Sequence, residues 1–572
     1  MSVFYYIYFL LFCSSALISV AAQSPENSFL LKQFGGNGDN FPTGIACSPD
    51  GSIFLAGVFE DELSSQEKIL HSSGKCDIYL GKVSTAGKAE WLVKAGGTGT
   101  DILLDIATDN YGNTYIAGTF EDIIFFDNES YLQAIGYTDA FVARLNSNGD
   151  IDWQVQLGGN YQDFCAAVTA DHLGNLIVAG SFENDALFGK KIVTGFGQTD
   201  AFIAKLDRQT GEVIWVREIG GGKQDCAWDI KTDGSGNIIV AGEFREIALV
   251  GKTQLTARGG ADIYVAKFSS DGQPLWAKQL GGQYDDSARQ LAVDHYNSIY
   301  LAGNFNDIAQ FGSEQLISLG GAEAFVVRMK SNGAIDWARR AGGPGDDQVL
   351  SLALNQQQEC HITGKFAARA AFGEHTVSSD GATDVFLASL DSRGNWNSAE
   401  AIGGHKNDSG SALAVDRNNR LLLAGTFEDS LLFGEKSLQS LGRRDTFLTR
   451  LDPNRNGSNH GLRLTRATQT DFGVVQASAN YEGMIAVADD NKRLVKSCLR
   501  RTYRNDPTFK GHMVVKFMIH AKGFVIPESV TILKSNLRDR RLIHCITKNI
   551  KRWKNFPAAD SGVYPIVQKY IF

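Results

Sequence analysis

The chain has 572 residues, more than one hydrophobic core usually organises, so several domains or a repeated architecture are expected. It contains 61 Gly but only 10 Pro, a composition that suits many tight β-turns and excludes a collagen-like or Pro-rich disordered chain. The net charge of −9 is unevenly distributed: residues 457–572 carry 20 basic and 8 acidic side chains, a net charge of +12, which leaves −21 for residues 1–456. We therefore expect two bodies of opposite charge.

The first 22 residues predict a signal peptide that is cleaved on export. An apolar run extends from Val3 to Leu17, and Val20-Ala21-Ala22 supplies small residues at the spacing that signal peptidase recognises. No Lys or Arg precedes the run, so an uncleaved anchor is the alternative. No later stretch approaches the roughly 20 apolar residues of a membrane span. We expect an exported bacterial protein that is periplasmic, associated with the outer membrane or extracellular.

Residues 28–456 contain seven copies of a repeat of about 61 residues. Each copy has a Gly-Gly dipeptide, and the copies begin at Gly35, Gly96, Gly158, Gly220, Gly281, Gly342 and Gly403. The residue five positions after the first Gly is Asn40 in the first copy and an acid in the others: Asp101, Asp163, Asp225, Asp286, Asp347 and Asp408. A second acid precedes an aromatic strand at Asp77, Asp139, Asp200, Asp262, Glu323, Asp384 and Asp445.

Each copy contains a pattern of about four short strands. Runs such as Leu176 to Phe182 are apolar, rich in β-branched residues and bounded by turn residues, and Asn148-Gly149 suits a tight hairpin. Four strands repeated seven times predict an all-β seven-bladed β-propeller. The last copy lacks the Trp-bearing strand that ends the others, and Ser28 to Phe34 matches that strand, so we expect the N-terminal strand to complete the last blade. The repeats resemble those of seven-bladed propellers in exported bacterial proteins.

The repeated acids at Asp101, Asp163, Asp225, Asp286, Asp347 and Asp408 have two interpretations. An Asp beside Gly-Gly commonly accepts hydrogen bonds from backbone N–H groups of its own turn, and repetition of the turn then requires repetition of the Asp. The alternative is a Ca²⁺ site, because Ca²⁺ takes six to eight oxygen ligands. We favour turn caps, since Asn40 keeps the hydrogen-bonding capacity without the charge. No cofactor is expected.

No catalytic constellation is evident in the repeats. The six His residues occupy different places in their copies, without metal-ligand spacing, and we expect surface positions for them: His71, His172, His295, His361, His375 and His405. The copies differ little from one another, whereas propeller enzymes usually break their symmetry. We therefore predict a non-enzymatic binding or scaffold protein. The alternative is an enzyme acting on polysaccharide, a hydrolase or lyase, because glycosidic chemistry needs only two carboxylates brought together by the fold.

After a linker at residues 457–488, residues 489–572 show a different pattern. A helix is predicted over Asp489 to Asn505, two strands follow around Lys522-Gly523, a second helix spans Arg538 to Lys554, and a last strand runs from Val563 to Phe572. The second helix has an apolar stripe that includes Leu542, Ile546 and Ile550. The predicted order is αββαβ.

The order and spacing of several residues in this segment resemble the TonB C-terminal fold, in its gliding-associated AgmX/PglI branch. The features that match are Cys498, Gly511, Phe517, Gly523, Ser535 to Asp539, Cys545, Trp553, Phe556, Pro557 and Phe572. The resemblance implies a small α+β periplasmic domain whose exposed sheet edge receives a partner strand. The chain lacks the Pro-rich segment of classical TonB. The resemblance therefore supports docking to a partner more than it supports energy coupling. A TonB-like energy-coupling or gliding-related role remains a second alternative.

Cys498 and Cys545 lie on the two predicted helices of this exported segment, so a disulfide is expected. Closing a loop of about 47 residues would contribute about 4 kcal/mol. The alternative is two reduced core thiols, which is also our expectation for Cys47, Cys76, Cys165, Cys226 and Cys360.

The basic segment and the export signal together limit the class of partner. Residues 492–572 carry a net charge of +14, but export argues against nucleic acid. We expect an envelope protein or surface polysaccharide as partner, with peripheral contact to an anionic membrane surface as a further option. The oligomeric state is not predicted.

Overall fold

The structure is a computed structural model that describes residues 30–65, 68–434, 436–451, 498, 512–520, 524–527, 530–535, 540–554 and 563–571. The predicted signal peptide, the 457–488 linker and all of the first C-terminal helix except Cys498 lie outside the described residues.

Each repeat forms four antiparallel strands, which we call its first to fourth strands. The first strands are β2 (Asn40–Cys47), β8 (Asp101–Thr108), β14 (Phe164–Ala170), β20 (Cys226–Thr232), β24 (Ser287–Val293), β28 (Gln348–Leu354) and β34 (Asp408–Val415). The second strands are β3 (Ile53–Phe59), β9 (Thr114–Phe120), β15 (Leu176–Phe182), β21 (Ile238–Val250), β25 (Ile299–Phe311), β29 (Cys360–Phe366) and β35 (Leu421–Phe433).

The third strands are β6 (Asp77–Val83), β12 (Asp139–Leu145), β18 (Asp200–Leu206), β22 (Thr253–Phe268), β26 (Glu314–Met329), β32 (Asp384–Leu390) and β36 (Lys436–Leu451). The fourth strands are β7 (Ala89–Ala95), β13 (Ile151–Gly159), β19 (Val213–Gly220), β23 (Pro274–Gly282), β27 (Ile335–Ala341), β33 (Trp396–Ile402) and, for the last repeat, β1 (Leu30–Phe34).

A hairpin extends from the second and third strands of each repeat. In the fourth, fifth and seventh repeats it continues the long strands themselves. In the others it forms separate short strands: β4 (Glu62–Ser65), β5 (Lys68–His71), β10 (Ile123–Phe125), β11 (Tyr131–Gln133), β16 (Asp185–Phe188), β17 (Lys191–Thr194), β30 (Arg369–Phe372) and β31 (His375–Ser378).

The first strands form a closed ring. Each contacts the first strand of the next repeat, and β34 contacts β2. Neighbouring repeats share one apolar core at each joint: Tyr115 of the second repeat packs in the same cluster as Val178 and Phe202 of the third. The same arrangement joins the last repeat to the first, where Leu448 and Tyr79 share a cluster. The core therefore lies between repeats, and each repeat is stabilised by its neighbours.

The predicted pairing of the N-terminal strand with the last repeat is confirmed. Strand β1 pairs antiparallel with β36, with Leu30 opposite Arg450 and Phe34 opposite Thr446. The Thr449 hydroxyl donates to the Leu30 carbonyl oxygen over 2.8 Å, and Leu30 and Phe34 are buried. Main-chain hydrogen bonds between the two ends of the repeat region thus close the ring.

The repeated Trp residues connect each fourth strand to the next repeat. The Trp91 indole N–H donates to the Ser147 carbonyl oxygen over 3.1 Å, and its ring lies against Gly149, whose φ is +89°. The Asn148-Gly149 hairpin predicted from sequence therefore also supports a contact between repeats. Trp153, Trp276 and Trp337 make the same type of hydrogen bond.

In the C-terminal segment, β37 (His512–His520) is the central strand of a small sheet. Strand β40 (Val563–Ile571) pairs along one edge, and β38 (Phe524–Val525) and β39 (Thr531–Ser535) pair along the other. Helix α1 (Arg540–Ile550) follows β39 and buries Leu542, Ile546 and Ile550. Within the described residues, no helix is long and apolar enough to cross a bilayer.

Helix α1 ends at Ile550, before the predicted end at Lys554. The chain turns after Ile550, and the Trp553 carbonyl oxygen accepts a hydrogen bond from the Val525 N–H over 3.1 Å, which holds this segment against β38. The Trp553 ring is buried edge-on to Phe517, with ring centres 5.5 Å apart. Pairing with β38 therefore ends the helix before its apolar pattern does.

Candidate binding site at one mouth of the ring

The repeated Asp residues hold the Gly-Gly turns together. In each of six repeats the carboxylate accepts a hydrogen bond from the N–H of the second Gly over 2.5–2.7 Å. Five of them also accept from an N–H twenty residues later, over 3.1–3.2 Å. Burial raises the pKa of each to about 7: Asp101, Asp163, Asp225, Asp286, Asp347 and Asp408. This is the geometry of a turn cap.

Each of these carboxylates engages the Gly-Gly turn that leads into its own strand. Among the residues that the structure describes, no group of three or more His, Cys, Asp or Glu side chains is arranged to hold a metal ion. Asn40, which stands in the same position in the first repeat, instead donates through its amide to the Arg444 carbonyl oxygen over 3.2 Å.

The Gly-Gly dipeptides lie where one repeat meets the next. The fourth strand of each repeat ends by pairing with the hairpin of the following one, as in Gly96 opposite Phe125 and Gly220 opposite Leu249. A Cβ on the second Gly would collide with a hairpin carbonyl oxygen, as at Gly221 against Ile247. We call the end of the ring formed by these turns and hairpins the Gly-Gly mouth.

The carboxylates of the second series of acids also accept hydrogen bonds from backbone groups at this mouth. Each accepts a hydrogen bond from the N–H four residues earlier: Asp77, Asp139, Asp200, Asp262, Glu323, Asp384 and Asp445. The first Gly of the dipeptide leaves room for this carboxylate, since a Cβ at Gly96 would collide with Asp77. Both series of repeated acids therefore maintain the joints between repeats.

Four side chains at the Gly-Gly mouth form what we call the mouth cluster: Phe164, Trp228, Glu243 and Arg289. Phe164 has an aromatic counterpart in Phe41 of the first repeat, whereas Trp228, Glu243 and Arg289 each have a residue type that occurs once at its repeat position. The Phe164 ring stacks on Trp228, with ring centres 5.6 Å apart at an angle of 26°. The Arg289 guanidinium carbon lies 5.7 Å from the Trp228 ring centre. The stack thus crosses the first strands of three consecutive repeats.

Local backbone irregularities place two of these side chains. Trp228 and Arg289 each occupy a β-bulge, in β20 and β24, and a bulge changes the direction of its side chain. The equivalent bulge positions in the other repeats hold Thr43, Leu104, Ala166, Leu350 and Ser411. Because none of these is aromatic or charged, the stack occurs once in the ring.

Glu243 adds an ionisable group beside the stack. Burial raises the pKa of its carboxyl to about 7, while Arg289, the Trp228 indole and Arg245 oppose the rise. Arg245 is in turn paired with Asp285 over 3.1 Å. Glu243 therefore exists in both protonation states near neutral pH, and it can donate or accept a hydrogen bond.

Two exposed aromatic residues lie on the turns that lead into the strands of Phe164 and Arg289. Tyr161 and Tyr284 lie on the Gly-Gly turns of the third and fifth repeats, with 41% and 51% of their surface exposed. The same turn position holds Gly38, Gly99, Lys223, Gly345 and Lys406 in the other repeats. The non-repeated aromatic residues at this turn thus lie on either side of the repeat that contributes Trp228 and Glu243.

The interior of the ring carries charges that are already engaged. Lys231 pairs with Asp229 over 2.5 Å, and the second carboxylate oxygen of Asp229 accepts from the Leu291 N–H in the next repeat over 2.6 Å. Asp105 makes the equivalent link to the Val168 N–H over 2.9 Å. These groups connect neighbouring first strands, so the mouth cluster is the better candidate for binding.

The expectation that the repeats barely differ missed the mouth cluster. The signal was available by comparing one position across all copies, eight residues after the first Gly, where Trp228 and Arg289 differ from small or aliphatic residues.

The expected surface position of His361 is wrong. It occupies the buried position that Tyr115 holds in β9, and its Nε2 lies 3.3 Å from the Asn355 amide nitrogen. Burial lowers the pKa of His361.

The predicted C-terminal site residues are only partly described. Phe517 and Trp553 are buried against each other, whereas Gly511, Gly523, Phe556, Pro557 and Phe572 lie outside the described residues.

Cys498 and Cys545 form a disulfide with Cα atoms 5.8 Å apart, and the other five cysteines that the structure describes are free thiols. Among the described strands β40 pairs only with β37, and strand β26 of the fifth repeat approaches β40 without pairing with it.

Curated relatives are distant and considerably longer. No protein-family model matches the chain. It is 23% identical to an uncharacterised WD repeat-containing protein of Acanthamoeba polyphaga mimivirus, over 65% of this chain and 33% of that protein. It is also 23% identical to the regulatory protein FlaEY of Caulobacter vibrioides, over 60% of this chain and 38% of that protein. The chain thus spans about a third of the length of these relatives.

The solved structures that match the chain share little sequence with it, and their TM-scores are low. A protein of unknown function from Dyadobacter fermentans is 10% identical with a TM-score of 0.36, over 74% of this chain and 98% of its own. The quinohemoprotein alcohol dehydrogenase of Comamonas testosteroni is 11% identical with a TM-score of 0.33, over 75% of this chain and 78% of its own. Taken with the closed ring of repeats, the similarity to a WD-repeat relative identifies the chain as a β-propeller repeat protein.

Proposed function

We propose that the chain is a non-enzymatic exported binding protein of the bacterial envelope. Its propeller recognises a ligand at the Gly-Gly mouth, and its basic C-terminal module docks to an envelope partner. One observation carries the proposal: the repeated carboxylates are occupied by backbone hydrogen bonds, whereas the mouth cluster combines stacked rings, a guanidinium and a titrating carboxyl. Fold by itself does not specify function, so the site must carry the argument.

In this proposal residues 28–456 form a seven-bladed propeller with one blade per repeat. The seven first strands in a closed ring and the pairing of β1 with β36 support it. A closed ring gives a rigid rim on which side chains from different repeats keep fixed relative positions. Such a rim suits recognition, because little conformational entropy is lost on binding.

The proposed C-terminal module is TonB-like and binds by β-augmentation. In this proposal the edge of β40 that is not paired with β37 receives the main chain of an incoming strand, which replaces the unpaired contact with β26. The +14 charge of residues 492–572 would attract an acidic partner or an anionic membrane surface. The Cys498–Cys545 disulfide ties the helical side of the module together and suits an oxidising, periplasmic or extracellular location.

A pair of proline variants tests docking in the full mature chain. Adjacent residues in a strand direct their N–H groups to opposite edges, so one of Val567→Pro and Gln568→Pro removes a donor from the outer edge and the other disturbs pairing with β37. We expect the unaltered chain to retain a specific envelope protein. The proline variant whose unfolding temperature equals that of the unaltered chain should lose this partner, because only the outer edge of its β40 has changed. Equal retention by that variant, or no specific partner for the folded chain, contradicts the docking proposal.

The raised pKa of Glu243 favours a second candidate function, the hydrolysis of polysaccharide. A carboxyl with a pKa of about 7 is suited to act as a general acid near neutral pH. Measuring new reducing ends after incubation with neutral and acidic polysaccharides separates the two functions. We expect no release; release that Glu243→Gln abolishes would establish the enzyme instead.

A further inference from the structure

We propose that the mouth cluster, together with Tyr161 and Tyr284, is a binding site for a neutral polysaccharide chain. This inference rests on the proposed binding function and names its ligand class.

The exposed aromatic rings provide the first argument. Tyr161 and Tyr284 stand on turns where three other repeats have Gly, and both rings remain substantially exposed. Sugar rings have apolar C–H faces that pack against aromatic rings, and the tyrosine hydroxyl adds a polar contact at the ring edge. Two such rings on either side of the fourth repeat suit a chain of several sugars better than a single one.

The polar groups between these rings provide the second argument. The Arg289 side chain is exposed, and Trp228 beneath it limits its motion. Its planar N–H groups match pairs of neighbouring hydroxyls, and Glu243 offers an acceptor or a donor beside them. Phe164 and Arg289 both lie against the Trp228 ring, so Trp228 acts as a positioning residue for the guanidinium.

Charge decides between neutral and acidic polysaccharides. Residues 1–456 carry a net charge of −21, which repels a polyanion at long range. The exposed Arg289 guanidinium does not offset that charge, and other basic groups of the fourth repeat are already paired: Arg245 with Asp285, and Lys223 with Glu246. A neutral chain avoids this repulsion and still satisfies the rings and the hydrogen-bonding groups.

Titration calorimetry on the full mature chain tests the inference. The probes are hexasaccharides of a β-glucan, a xylan and an α-mannan, with a hexagalacturonate as the acidic comparison. We expect at least one neutral hexamer to bind, and the hexagalacturonate, whatever its binding to the basic C-terminal segment, to displace that hexamer at least about tenfold less effectively, which corresponds to about 1.4 kcal/mol.

Other repeats supply variants that the fold tolerates. Tyr161→Gly and Tyr284→Gly introduce the residue that three repeats already have, and we expect each to weaken binding at least about tenfold. Trp228→Leu introduces the residue of the second and sixth repeats and should weaken binding similarly, with recovery in Trp228→Phe because an aromatic ring again supports Arg289. The matched control is Tyr111→Ser, at the opposite end of the ring, where 68% of Tyr111 is exposed; its affinity should be unchanged.

Three results would overturn the inference: no binding of any neutral hexamer to folded chain, unaltered affinity in both Tyr→Gly variants, or displacement of the bound neutral hexamer by an equal or lower concentration of the hexagalacturonate. If the chain retains a partner through β40 but binds no hexasaccharide, the proposed docking function stands and only the polysaccharide ligand is ruled out. Loss of both would remove the proposed function as well.

Discussion

The Gly-Gly turns and the mouth cluster lie at the same end of the ring but are built on different principles. At six of the seven turns, a Gly is close to a backbone carbonyl oxygen and an Asp accepts its N–H, so the groups that form the joint are occupied. In the mouth cluster, side chains at bulged or exposed positions differ from repeat to repeat. Such a site arises where a position can change without disturbing the joint between repeats.

The largest effect should follow from removing the strand that closes the ring. A chain beginning at Gly35 lacks β1, and the burial of Leu30 and Phe34 is lost with it. We expect a loss of at least about 5 kcal/mol, the sum of two buried side chains at typical values. Urea unfolding compared with a chain beginning at Gln23 measures it. Identical unfolding midpoints would show that the seam contributes little.

A neighbouring pair of glycines should distinguish a joint from its surroundings. A Cβ at Gly221 meets the Ile247 carbonyl oxygen, whereas a Cβ at Gly222 meets nothing within 4 Å. We expect Gly221→Ala to lower the free energy of unfolding by about 3 kcal/mol and Gly222→Ala to change it by less than about 0.5 kcal/mol. Chemical denaturation of both variants tests this, and equal losses would contradict the role assigned to the dipeptide.

The repeated carboxyls should make stability depend on pH. Burial raises their pKa from 3.8 to about 7, as for Asp225, so between those values the folded chain binds more protons than the unfolded chain. Stability is then fully present below the unfolded pKa and falls as pH rises through about 4 to 7. We expect a loss of at least about 2 kcal/mol between pH 4 and pH 8.

Replacing one carboxyl provides the control for this pH dependence. Asp225→Asn retains an acceptor for the Gly221 N–H but does not titrate, and Asn40 shows that the ring accommodates an amide at this position. We expect a smaller dependence of the urea midpoint on pH. A midpoint that rises towards pH 8 in the unaltered chain would reverse the assignment.

The smallest effect on stability should come from the mouth cluster. Trp228→Leu copies Leu104 and Leu350 of other repeats, so we expect a change within about 1 kcal/mol in the free energy of unfolding. The same variant should lose ligand, which would separate binding from folding. A loss as large as that of Gly221→Ala would mean that Trp228 belongs to the joint.

The accuracy of the sequence-based predictions depended on whether the interactions were local. The turns around Gly97 and Asp101 and the hairpin at Gly149 involve residues close in sequence, so their patterns were readable. The buried position of His361 depends on its place in a central strand, and the end of α1 depends on pairing with β38, neither of which appears in the local pattern.

The amino-acid sequence by itself determined the repeat, the strands and the pairing of the two ends. Repetition multiplies each local signal seven times, and the missing strand of the last repeat has a single match at the N-terminus. Only the tertiary structure decided that Phe164, Trp228 and Arg289, about sixty residues apart in the chain, form one stack. Ring closure brings equivalent positions of consecutive repeats together, and two bulges then direct side chains from separate strands to the same mouth.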